Sequence, residues 1–134
     1  MANVNKTVTN IPLIRETGVL VTAVALTSDV AANDTETLII TPTCPANRII
    51  LIINENNAST GGTITVTCAA GDYWMAKAMA TVSIAVSTSK AIIFQAAMHQ
   101  DKDDDTIKVV ITPASGKKLV TNHGVTWQIM QMPD

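Results

Sequence analysis

Thr63-Ile64-Thr65-Val66-Thr67-Cys68 alternates a hydroxyl-bearing side chain with an aliphatic one or a thiol at every step. A strand turns successive side chains to opposite faces. This period of two therefore puts Ile64, Val66 and Cys68 on a buried face and the threonines on the other. The same alternation recurs in Val82, Ile84 and Val86, and in Ile107, Val109 and Ile111 against Lys108 and Thr112. It returns in Val125, Trp127 and Ile129 against Thr126 and Gln128, which assigns Trp127 to the core. Residues 19–25, 37–41, 48–54 and 91–95 also read as strands. Positions 49–53 are aliphatic throughout, which predicts a central strand covered on both faces.

Turn chemistry separates these rows. Asn33-Asp34, residues 42–47, 56–62, 70–72, 87–90 and 113–118 carry the Asn, Gly, Pro, Asp and Ser residues that reverse a chain. About eight short strands at spacings of roughly 10–20 residues predict a single-domain antiparallel β-sandwich, all-β in class, with jelly-roll and immunoglobulin-like connectivity both open. Helical periodicity is weak, and residues 73–79 are the one candidate helical turn. Residues 1–17 lack a pattern and read as an extended N-terminal arm, leaving 18–134 as the sandwich.

Composition agrees. Of 134 residues, 47% are hydrophobic but only 3% aromatic, and Thr, Ile and Val together supply 47. These β-branched side chains suit a pleated surface. A chain of this length buries roughly two-thirds of its unfolded surface and folds without metal or disulfide. The net charge of −2 and a pI near 5.5 offer no drive toward nucleic acid or an anionic membrane. Residues 1–10 show no secretory signal, and the aliphatic run 49–53 is far short of a bilayer span. Cys44 and Cys68 have neither metal-site spacing nor a disulfide framework; they read as free thiols, with a Cys44–Cys68 bond between neighbouring strands as the alternative.

Candidate sites are few. Asp101, Asp103 and Asp105 lie at alternate positions, as at the opening of a calcium loop. The sixth position is Thr106 rather than Gly and the twelfth Thr112 rather than Glu, so an acidic hairpin tip is the preferred reading. His99 and His123 lack a partner nucleophile or a metal-binding motif and read as loop residues. Gly61-Gly62 lacks the lysine of a phosphate loop. No catalytic residue and no cofactor is expected. Tyr73 and Trp74 form the one aromatic pair that a sugar could stack on, and Trp74 is better used as an anchor in a protein interface. Met75, Met79, Met98, Met130 and Met132 fit either interface or core.

From Ile49 onward the order of elements carries a resemblance. A buried strand ends in Asn (Leu51-Ile52-Ile53-Asn54), and an Asn/Gly hairpin leads into the alternating Thr63 row with Gly71 after it. A β-branched strand, a Ser/Thr turn, a strand ending in Ile92-Ile93-Phe94 and two closing strands before Pro133 complete it. This layout resembles the small β-sandwich virion proteins of tailed bacteriophages, in particular head decoration (cement) proteins, over roughly residues 35–133. The resemblance implies a non-enzymatic protein made in the bacterial host cytoplasm and located on the capsid surface of the virion. It implies the major capsid protein as partner, with neighbouring capsid subunits clamped after the shell expands. It also implies a homo-oligomer, commonly a trimer. Asn3, Val4, Lys6, Val8, Ile11 and Leu13 of the arm, with Trp74, are the expected interface residues. A tail-fibre or baseplate module that recognises host surface or glycan is the alternative, and a cellular carbohydrate-binding domain the third.

Overall fold

Each alternating row of the sequence yields a strand, although the row of Val82, Ile84 and Val86 ends at Ile84 and Val86 lies in a turn. A computed structural model of the chain describes residues 3–8, 11–14, 23–25, 32–44, 47–56, 62–73, 76–120 and 122–133. Its strands are β1 (Asn3–Val8), β2 (Val24–Ala25), β3 (Thr35–Ile40), β4 (Arg48–Asn54), β5 (Ile64–Cys68), β6 (Val82–Ile84), β7 (Ser89–Gln95), β8 (Ile107–Thr112) and β9 (Thr126–Met132). One helical turn, α1 (Ala96–His99), follows β7. The helical turn expected at residues 73–79 is not there: Ala76 N–H bonds to Tyr73 C=O, but residues 76–79 are not helical and 74–75 lie outside the described residues.

The strands form two sheets, ordered β1-β3-β8-β5-β6 and β2-β9-β4-β7. Successive strands cross from sheet to sheet except at the β5–β6 pair, so each sheet interleaves the two halves of the chain. β9 lies between β2 and β4, and β8 between β3 and β5. With β1 set aside, this is the strand order of an eight-stranded jelly roll, which settles the connectivity that the periodicity left open. The pairings are antiparallel except at the N-terminus, where β1 runs parallel to β3 and Leu13 bridges Gln131 in parallel.

The inner faces interdigitate into one core. Leu38 and Ile40 of β3, Ile49, Leu51 and Ile53 of β4, Ile64 and Val66 of β5, and Ile107, Val109 and Ile111 of β8 are fully buried. Burying each such side chain stabilises the fold by about 1.5–3 kcal/mol. Trp127 and Ile129 join them from β9, as their alternation predicts. β4 is central, but it is not covered on both faces: Ile50 and Ile52 point outward and are half-buried. Cys68 is buried and Cys44 exposed, and both are free.

The expectation of an N-terminal arm outside the core is corrected for its described residues. Val4, Lys6 and Val8 lie opposite Glu36, Leu38 and Ile40, with Val8 in the core. Ile11 is buried, and residues 12–14 are fastened to β9 by Gln131 N–H to Pro12 C=O (2.8 Å) and Ile14 N–H to Gln131 C=O (2.9 Å). The Gln131 side chain completes this clasp. Its Oε1 accepts from Thr43 N–H and Asn47 Nδ2, and its Nε2 donates to Ile11 C=O and the Thr43 hydroxyl. A pattern search misses such a segment because a polar edge strand and a hydrogen-bonded strap bury few side chains.

Candidate interaction surface

The acidic loop between α1 and β8 is built around a lysine. Lys108, the second residue of β8, places its Nζ 3.8 Å from Asp101 and 3.5 Å from Asp104. Asp101 also accepts from Asp103 N–H, and Asp104 from the N–H and hydroxyl of Thr106. The Thr106 hydroxyl and N–H, then Lys108, hold the Asp104 carboxyl below its ordinary range. Asp105, with a left-handed backbone (φ 58°), accepts from the Tyr73 hydroxyl at 3.1 Å, which favours the protonated phenol and raises its pKa. The carboxylates expected to converge on a cation thus serve separate partners. No group of three metal-ligating side chains occurs among the described residues. A cleft of about 180 Å³ lies beside the loop, lined by Gly71, Asp72, His99, Asp101, Thr106 and Lys108.

Both histidines are structural in their contacts. His99 is buried at the end of α1, where its Nδ1 donates to Ala69 C=O and its ring meets Phe94 edge-on. His123 is fully buried, with Nδ1 2.7 Å from the Glu55 carboxylate. Its Nε2 accepts from Ala114 N–H, so the ring proton sits on Nδ1 and is donated to Glu55. A carboxylate–histidine pair acts as a general base through the free nitrogen. Here that nitrogen is occupied by the backbone, and the pair pins the 113–125 loop onto residue 55.

The two outer faces of the sandwich differ sharply. On the five-stranded sheet the outward positions include Asn3, Asn5 and Thr7 of β1, Thr35, Thr37 and Ile39 of β3, Thr65 and Thr67 of β5, Ser83 of β6 and Lys108 of β8. Five of the nineteen threonines lie among these positions. On the four-stranded sheet, Ile93 of β7, Ile50 of β4 and Met130 of β9 form one cross-strand row, and Ala91, Ile52 and Gln128 the next. Arg48 is the sole charged side chain at the outward positions of these three strands. Ile93 is 61% exposed and is the only large hydrophobic residue so exposed among the described ones. A contiguous apolar strip on a sheet face is what a protein contact uses.

The interface residues expected from the sequence fare unevenly. Val8 and Ile11 are buried in the core and unavailable to a partner. Asn3 is exposed, and its carbonyl oxygen accepts from the Thr35 and Thr37 hydroxyls; Val4, Lys6 and Leu13 are half-buried against their own chain. Trp74 lies outside the described residues. The strip at Ile50, Ile52, Ile93 and Met130 escaped sequence reading because a run of five aliphatics does not say which face its neighbours cover. The exposed Ile93 within Ala91-Ile92-Ile93-Phe94 was the available signal. Among the described residues no helix is long and apolar enough to cross a membrane. No family model, curated protein or solved structure matches the chain.

Proposed function

We propose that this chain is a non-enzymatic structural protein of a bacteriophage virion. As a decoration protein, it binds the outside of the expanded shell and clamps neighbouring capsid subunits, with the outer face of the four-stranded sheet as its contact surface. The observation that carries the binding role is the apolar row Ile93–Ile50–Met130, bare of charge except at Arg48. The virion as its place follows from the resemblance in element order, and the jelly-roll topology is a fold-level analogy in the same direction, since coat proteins and lectins share it. A protein that binds assembled shell and not free subunits stabilises the shell by mass action. Copies associated around a symmetry axis, a trimer in this reading, multiply weak contacts into firm attachment.

The test is co-sedimentation of the purified chain with expanded shells stripped of decoration. Saturation at a fixed ratio to the capsid subunit supports the proposal. Failure to pellet at large excess rejects it and directs attention to host-surface and glycan binding, the role of a tail-fibre or baseplate module.

A further inference from the structure

β7 is an edge strand with an apolar, chemically open margin. It pairs only with β4 among the described residues. The bonds that continue this ladder at each end, Glu55 N–H to Thr88 C=O and Ala96 N–H to Asn47 C=O, fix its phase. Even-numbered residues of β7 direct their backbone groups to β4. Ala91, Ile93 and Gln95 therefore direct N–H and C=O to the open edge. Their side chains lie on the apolar outer face. Beside this edge runs a groove of about 340 Å³, walled by Lys77, Met79, Ile93, Phe94, Gln95 and Met98. Edge strands are ordinarily blunted by charges or proline aimed at the edge; here neither occurs between Ala91 and Gln95.

The charge pattern selects the occupant. Lys90 stands at the start of the strand. Lys77, whose N–H bonds to Met98 C=O just beyond α1's midpoint, stands at the far end, and among the described residues no carboxylate lines the groove. A second copy of this chain, paired antiparallel about Ile93, would set Lys90 opposite Ala96 of the partner and bring it to the end where the partner's own groove lysine stands. Like charges would meet at both ends. The geometry points to an extended segment of a different protein, added to β7 as a further strand. Apolar residues at alternate positions continue the Ile93–Ile50–Met130 row, and a carboxylate at each end meets Lys90 and Lys77. This inference rests on the four-stranded sheet being the contact side, and it names the form the partner takes there.

The probe is the blocked peptide Glu-Val-Thr-Val-Thr-Val-Glu. Its end carboxylates lie about 20 Å apart when extended and share a face opposite the valines. Amide exchange is read by NMR on the full chain. The expected result is at least tenfold slower exchange at Ala91, Ile93 and Gln95. Alternate N-methylation of the peptide should abolish the effect, and lysine in place of both glutamates should weaken binding at least tenfold. Unchanged exchange at millimolar peptide overturns the inference, as does equal binding of the lysine peptide. Protection that grows with protein concentration in the absence of peptide also overturns it, by making a second copy the occupant. An Ala91→Pro chain, which loses one outward N–H at a free edge that tolerates proline, separates this inference from the proposed function. Peptide protection of the native chain without any shell binding removes the shell and leaves the strand addition. Full shell binding by Ala91→Pro, once its peptide binding is lost, removes the strand addition and leaves the shell.

Discussion

Replacing Gln131 with leucine keeps the side-chain volume near its native value and removes four hydrogen bonds from the N-terminal clasp. Two of the abandoned partners are buried: the Asn47 amide and the Ile11 carbonyl. The other two belong to Thr43, which is exposed and can turn to water. Each buried orphan costs about 1–3 kcal/mol, and the added apolar surface returns part of it, so the net loss is about 2–4 kcal/mol. An unfolding entropy of about 2.1 cal/mol/K per residue converts this to a Tm drop of about 7–14 °C. Thermal and urea unfolding measure the loss, with the urea m-value unchanged because the surface exposed on unfolding is the same. Amide exchange locates it. The Ile14 and Gln131 N–H groups, which tie residues 12–14 to β9, should exchange faster relative to the β4 core. A Tm within about 2 °C of the native value, together with unchanged exchange at Ile14, would refute the clasp.

Four further outcomes follow from the same geometry. His123→Leu removes the His123 contact from the buried Glu55 carboxylate and the acceptor from Ala114 N–H, so denaturation should show a loss of about 2–4 kcal/mol; a loss below about 1 would contradict the structural role. Gly71→Ala places a methyl inside the backbone of Gln100 and pushes residues 70–72 off α1, which should cost roughly 2 kcal/mol or more by chemical denaturation. Tyr73 is the only tyrosine, so a spectrophotometric titration reads it alone; its midpoint should lie above 10 and fall toward 10 in Asp105→Asn. Burial pushes the Cys68 thiol up to about 12 from 9.0, so a thiol reagent at pH 8 should label Cys44 alone in the native chain and both cysteines after unfolding. The sign of the linked stability follows: the unfolded thiol ionises above pH 9 while the folded one stays protonated to about 12, so stability falls as pH rises through that window.

Strands that alternate strictly were legible because one face is buried and the other solvated. β5, β8 and β9 stand where Ile64, Ile107 and Trp127 set the phase. The class followed from these rows, and the jelly-roll order did not, since strand adjacency is decided by contacts between residues as far apart as Asn54 and Thr126. β1 was invisible because Asn-Val-Asn-Lys-Thr-Val is polar enough for an arm, and its place is fixed by backbone pairing to β3. α1 is a single turn, below the length at which helical period can be seen. At the candidate sites, the spacing of Asp101, Asp103 and Asp105 suggested a cation loop, while Lys108, seven residues after Asp101, brings its own positive charge to Asp101 and Asp104. The contact face was the least legible feature. Ile50 and Ile52 look identical in sequence to Ile49 and Ile53, and only the packing of the second sheet distinguishes them.

The most direct test of the account compares shell-binding isotherms of two single lysine substitutions at exposed positions on opposite faces. Ile93→Lys puts a charge on the apolar strip of the four-stranded sheet, and Ser83→Lys puts the same charge on the outer face of the five-stranded sheet. Both sites are solvent-facing, so both variants should unfold within about 0.5 kcal/mol of the native chain. Ile93→Lys should lose at least tenfold in affinity for expanded shells while Ser83→Lys binds as the native chain does. Native-like binding by Ile93→Lys with a loss in Ser83→Lys would place the contact on the threonine-rich face and contradict that expectation.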